Sequence, residues 1–187
     1  MIELAIISGT DRPGAQALKV SGYLMQRYRN MGAKVSLINL QDFPLEAVNG
    51  GPYGQDNSAI EAYNKPLHQA DGLVMVIPEY NGSFPGILKL FIDYLPFPES
   101  FLRKPISYVG ESAGAFGAMR AVEQMEQVAE YRYAHNFPER VFIPRVNKNF
   151  SEDKGILDEF QNSLLDSQIK NFYYFVENLK QQYQFTS

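Results

Sequence analysis

Apolar residues fall in short unbroken runs, and Gly- and Pro-punctuated polar turns follow them. Between the runs lie segments whose apolar residues recur at helical spacing. Ile2 to Ile7 predicts a first strand, and Ser8 to Gln16 a loop. A helix is expected over about Ala17 to Met31, with Leu18, Tyr23 (or Gly22), Leu24, Tyr28 and Met31 as a rough apolar stripe and Gly32 as its stop. Lys34 to Leu40 reads as a second strand. Gln41 to Gln55 reads as a long turn-rich loop, of the kind that often serves function or a subunit contact. A second helix covers Ser58 to Gln69. Gly72 to Ile77 is a fully apolar third strand, and Ile87 to Leu95 an amphipathic helix after it. Lys104 to Val109 predicts strand four, Ala118 to Tyr133 helix four, Glu139 to Ile143 a short strand five and Ile156 to Tyr183 a last helix.

Strands that alternate with helices at short spacing favour right-handed βαβ units and a parallel sheet covered on both faces. The expected architecture is an α/β three-layer sandwich with a five-stranded sheet in the order 2-1-3-4-5. Its switch point lies between strands one and three, and ligands of such sheets bind at the carboxyl edge there. The loops after strands one, three and four would border that crevice. They are also the three Gly-rich loops, 8–16, 78–86 and 110–117.

Composition narrows the function. The chain has 187 residues, with 45% hydrophobic and 20% charged, and no linker or repeat, so residues 1–187 are expected to form one domain. A net charge of −4 argues against a nucleic-acid footprint. No apolar run approaches the roughly 20 residues that span a bilayer. Met1 leads almost directly into the first apolar run with no basic segment before it, which suggests a cytoplasmic protein without a signal peptide. With no cysteine there is no disulfide, thiolate nucleophile, iron–sulfur cluster or Cys-bound zinc, and the two histidines, His68 and His135, form no metal motif.

The first loop precedes a helix, whose free amides and dipole suit a phosphate. Ser8 and Thr10 add hydroxyls there, and Arg12 can make charge-assisted bonds to phosphate oxygens. Two common nucleotide motifs fail. Gly9 and Gly14 have the spacing of a P-loop, but Ala15 and Gln16 stand where Lys and Ser/Thr belong. Asp11 occupies the second glycine position of G-x-G-x-x-G. A terminal monophosphate is what remains. In the second loop, Pro78 and Pro85 stiffen a turn in which Gly82 and Gly86 allow unusual conformations. The third loop offers Ser112 and small residues, which let a flat ring approach backbone. A monophosphate at one end and a flat heteroaromatic against two loops describe FMN.

The segment Pro78-Glu79-Tyr80-Asn81-Gly82-Ser83-Phe84-Pro85-Gly86, followed by Leu88-Lys89 and Ile92-Asp93, resembles the signature of the NAD(P)H-dependent FMN reductase family of the flavodoxin-like superfold, with Leu90 in place of the usual Asn. Ser8-Gly9-Thr10-x-Arg12 is similar to its phosphate loop. Ser112-Ala113-Gly114-x-x-Gly117-x-x-Arg120-Ala121 is similar to its third loop, and the likeness covers about residues 2 to 145. The resemblance implies that Ser8, Thr10, Arg12, Gly14, Ala15 and Gln16 hold the FMN phosphate, although Ala15 and Gln16 replace the family's Ser and Asn. It implies that Pro78, Glu79, Tyr80, Asn81 and Gly82 line the isoalloxazine ring, with Ser112, Gly114 and Gly117 along the third loop. The activity implied is ping-pong oxidoreduction. NADH or NADPH passes a hydride to bound FMN, which then reduces a small acceptor: a flavin, quinone, azo compound or metal oxyanion. No catalytic side chain and no metal are called for. A homodimer or homotetramer is also implied, in which the 41–55 loop, Phe97, Phe101 and Phe116 complete a pocket between chains. Two other readings stand beside it: a flavodoxin-type electron carrier without its own NAD(P)H reaction, and a flavin-free interaction module on the same fold.

Overall fold

The computed structural model describes residues 1–48 and 58–184. The elements are β1 (Glu3–Ser8), α1 (Gln16–Asn30), β2 (Lys34–Asn39), a 3₁₀ turn (Leu40–Asp42), α2 (Leu45–Val48), α3 (Ser58–Gln69), β3 (Gly72–Pro78), α4 (Gly86–Tyr94), β4 (Pro105–Glu111), α5 (Met119–Tyr131), β5 (His135–Asn136), β6 (Val141–Ile143), α6 (Val146–Asn149), β7 (Phe150–Ser151), β8 (Gly155–Ile156) and α7 (Glu159–Gln184). Residues 49–55 of the long loop expected after the second strand lie outside the described residues. Its beginning is the 3₁₀ turn and α2 rather than irregular chain.

The central sheet runs β2-β1-β3-β4 with every pairing parallel, as the βαβ alternation requires. Strands β3 and β4 are buried along their whole length. Their unbroken apolar runs conceal a strict alternation of faces, because both faces are covered. Leu4, Ile6, Val74, Val76 and Val109 pack with Val20, Leu24 and Tyr28 of α1 and with Leu165, Ile169, Phe172 and Val176 of α7. Ala5, Ile7, Leu73, Met75, Ile77, Ile106 and Tyr108 face the other way. They meet α3 through Ile60 and Leu67, α4 through Leu88 and Phe91, and α5 through Val122 and Met125. The result is the flavodoxin-like three-layer sandwich.

The fifth strand differs from the expected continuous 139–143. Two short strands, β5 and β6, both pair with β4 in parallel. Pro138 sits in the gap and has no N–H to give the ladder. The buried Gln168 of α7 fills the break, donating to the Tyr108 carbonyl at 2.9 Å and the Glu139 carbonyl at 2.7 Å. A buried carbonyl without a donor is costly, so this side chain substitutes for missing backbone bonds. The segment after β6 also holds structure the sequence pattern does not announce: α6 and the β7–β8 hairpin.

Candidate active site

The three Gly-rich loops meet at the carboxyl edge of β1, β3 and β4 around one cleft of about 310 Å³. Arg12, Pro13, Gly14, Ala15 and Gln16 form one wall; Pro78, Glu79 and Tyr80 form a second. Glu111, Ser112 and Ala113, with Val146 and Asn147 beside them, complete it.

The first loop turns sharply at Gly9, whose N–H donates to the Val76 carbonyl at 3.0 Å. A Cβ at this position would stand 2.9 Å from that oxygen, so only glycine lets β1 and β3 end this close together. Helix α1 then begins behind Ala15, which offers no side-chain cap, and its first turn carries no acidic residue. Its amino end therefore keeps its affinity for an anion. Gly14 has φ +69°, and a Cβ built on it meets nothing within 4 Å, so the loop fronts open space.

The second loop is a tight two-residue turn. Tyr80 and Ser83 exchange backbone hydrogen bonds of 2.9 and 3.1 Å around Asn81 (φ +54°) and Gly82 (φ +78°). Asn-Gly suits such a turn because both central residues need positive φ. Its base is tied to the first loop, since the Tyr80 hydroxyl lies 3.0 Å from the buried Thr10 hydroxyl. Thr10 also accepts from the Arg12 N–H at 3.2 Å, which orders the start of the first loop.

The third loop is clamped from below. Gly110 and Gly117 pack against each other and β6, and Cβ atoms there would fall 2.5 Å from the Gly117 carbonyl and 2.8 Å from the Phe142 Cβ. The chain after β6 adds two bonds, Arg145 N–H to the Gly114 carbonyl at 2.8 Å and Val146 N–H to the Ser112 carbonyl at 3.0 Å.

Of the residues named from sequence, Arg12, Gly14, Ala15, Gln16, Pro78, Glu79, Tyr80 and Ser112 line the cleft. Ser8 and Thr10 lie beneath it, both buried. Asn81, Gly82 and Gly114 are outside its lining. Gly117 is buried against β6, which gives it a packing role. Phe101, expected in a shared pocket, is buried under the Arg132 guanidinium instead, with the charge 5.1 Å from its ring; Phe97 and Phe116 are exposed. Sequence reasoning missed Glu111, Val146 and Asn147. Glu111 had one legible signal, an acid at the very end of a central apolar strand.

The fit to FMN is testable on these atoms. The Ser8 hydroxyl and Glu79 Oε2 are buried without a hydrogen-bond partner, so polar capacity remains at the base and on one wall of the cleft. The cationic Arg12, the α1 amino end that Ala15 leaves without a side-chain cap and the open space at Gly14 suit a phosphate, and the walls from the second and third loops suit a flat ring. The donor set fits. One group is out of keeping: burial pushes the Glu111 carboxyl from 4.5 up to about 7, while the Ala17 amide and the Arg12 charge pull it down.

Comparison with known proteins gives the family and the fold. The sequence profile for NADPH-dependent FMN reductase matches residues 2–148. An NAD(P)H-dependent FMN reductase of Pseudomonas aeruginosa is 30% identical over 180 residues, covering 88% of this chain and 97% of that protein. A quinone reductase of Escherichia coli K12 is 31% identical over 147 residues, 76% of each chain. In fold, the flavoenzyme NAD(P)H:acceptor oxidoreductase FerB of Paracoccus denitrificans superposes with a TM-score of 0.75 at 20% identity, over 95% of this chain and 98% of that one. The chain therefore belongs to the NADPH-dependent FMN reductase family, oxidoreductases with FMN as flavin cofactor and NAD(P)H as electron donor.

Proposed function

We propose that this chain is a ping-pong NAD(P)H oxidoreductase whose acceptor is a small molecule: a flavin, quinone, azo compound or metal oxyanion. The observation that carries the reading is the single cleft in which a cationic phosphate loop, a stiff Pro-bounded turn and a small-residue loop converge. Bound FMN supplies the redox chemistry, taking two electrons from NAD(P)H and handing them to the acceptor.

The protein's part is to hold and orient. Arg12 gives the phosphate charge-assisted hydrogen bonds, and Gly14, Ala15 and Gln16 bring the amino end of α1 to it. Pro78, Glu79 and Tyr80 bound the ring on one side and Ser112 on the other. The Tyr80–Thr10 bond keeps the two walls at fixed separation, so the site need not reorganise on binding. Nucleotide and acceptor use the same cleft mouth in turn, which is why their kinetics should be ping-pong. Initial rates at several fixed acceptor concentrations should give parallel double-reciprocal lines; intersecting lines would mean that both substrates bind together and would overturn this order.

Arg12→Ala should raise the FMN dissociation constant about 10- to 150-fold, the equivalent of roughly 1.5–3 kcal/mol for a hydrogen bond to a charged group. Fluorescence titration of the apoprotein measures it, and an unchanged constant would remove Arg12 from the site.

The reading includes a cytoplasmic homodimer or homotetramer, with the exposed Phe97 and Phe116 turned toward a partner copy. Among the described residues no helix is long and apolar enough to cross a membrane. Light scattering on the FMN-loaded protein tests the assembly, and a fully active monomer would contradict it.

A further inference from the structure

Glu111 is a carboxylate that the flavin chemistry does not use. It closes β4 opposite Pro78, is 5% exposed, and lines the cleft together with Arg12, Ala15 and Gln16. The Ala17 amide, in the first turn of α1, gives its carboxyl a hydrogen bond. The carboxyl therefore stands at the amino end of α1, where the reading above puts the FMN phosphate. Two anions at one such end repel, the more so because the Glu111 carboxyl is buried. A neutral carboxyl instead has an O–H to donate to a phosphate oxygen.

The charges around Glu111 do not cancel the conflict. Arg12 of the first loop is the cation acting on it, and Asp11 beside Arg12 is exposed. The second loop adds Tyr80 and another carboxylate, Glu79, which Arg120 of α5 approaches to 3.7 Å. The first turn of α1 brings no acid. Arg145 and Lys148 line the neighbouring depression with Ala113 and Asn147, not this cleft. Burial already favours the protonated form near neutrality, and an arriving dianion strengthens that preference.

We propose that Glu111 makes flavin capture proton-linked: FMN is held with Glu111 neutral, and its carboxyl O–H donates to the phosphate. Above neutral pH each FMN bound then brings one proton from solvent onto Glu111. This inference rests on the phosphate lying at the first loop. It makes Glu111 a specificity residue, because riboflavin, without a phosphate, has no reason to draw the proton.

Calorimetric titration of the apoprotein with FMN and with riboflavin, in buffers of different ionisation enthalpy, counts the protons. At about pH 8 and about pH 9 the phosphate, with a second pKa of about 6, is already a dianion, so any proton taken up belongs to the protein. The expected result is about one proton per FMN and an FMN dissociation constant that rises about tenfold per pH unit. Riboflavin should show neither. Glu111→Gln keeps the shape and removes the charge. It should abolish the uptake and bind FMN at least about tenfold more tightly than the native protein at about pH 9. FMN binding without proton uptake at both pH values, or uptake that persists in Glu111→Gln, overturns the proposal while leaving the FMN site intact. Riboflavin binding as tightly as FMN at every pH overturns both, because the phosphate would then not be held at the first loop.

Discussion

Gly117→Ala is expected to destabilise the protein by about 2–5 kcal/mol. Two independent costs combine. Gly117 has φ +58°, a left-handed conformation that costs a residue with a Cβ roughly 1–2 kcal/mol. Its added Cβ would also fall 2.8 Å from the Phe142 Cβ, 2.9 Å from the Ile143 nitrogen and 3.0 Å from the Phe142 carbonyl carbon. Two of those are backbone atoms of β6, held in register with β4, so they cannot yield as a side-chain tip can. Overpacking of this kind costs about 1–3 kcal/mol. Urea unfolding of the apoprotein should show the loss as a lowered midpoint. Gly114→Ala is the control, since a Cβ there approaches only the Ser112 hydroxyl, at 3.9 Å. Equal midpoints for Gly117→Ala and the native protein would show that the third loop is not clamped to β6.

The second large effect is a pH dependence of stability in the apoprotein. The folded state raises the Glu111 carboxyl from 4.5 to about 7, chiefly by burial. The folded protein therefore binds more protons than the unfolded chain between those values, and stability must fall as pH rises through that window. The contribution is fully present below about pH 4.5 and lost once pH passes about 7; the whole span corresponds to about 3 kcal/mol. Glu111→Gln should remove this slope and leave the variant more stable than the native protein at about pH 8. Unfolding midpoints across the range test it. A native protein whose stability is flat from about pH 5 to about pH 7, with the variant parallel to it, would mean that water reaches the carboxyl freely.

The sheet was legible because buried parallel strands need unbroken apolar runs, and Gly72 to Ile77 is one. Helix α3 falls at the expected Ser58–Gln69, where polar and apolar positions alternate at helical spacing. The break between β5 and β6 was not legible. It depends on Pro138 meeting the β4 ladder and on Gln168, distant in sequence, supplying the missing donors. Short elements such as α6 carry no periodicity of their own; contacts of their backbone with Ser112 and Gly114 fix them.

The turns around the cleft were legible where backbone geometry demands particular residues. Gly9, Asn81 and Gly82 mark a close approach and a positive-φ turn, and those needs are written in residue type. A glycine does not say which need it meets, however. Gly117 looks like room for a flat ring, but its missing Cβ makes room for β6. Glu111 was hidden for a different reason. Its chemistry comes from burial under the first turn of α1 and from Arg12, neither of which is near it in sequence.

The most direct test of the account is an anaerobic visible spectrum of the purified protein, recorded before and after loading with FMN and again after adding NADH or NADPH. The account predicts that the protein retains the flavin's oxidised absorption after removal of free FMN, and that one or both nucleotides bleach it. A flavin that stays oxidised with either nucleotide would make the chain an electron carrier, and a protein that retains no FMN under any loading condition would contradict the cofactor site itself.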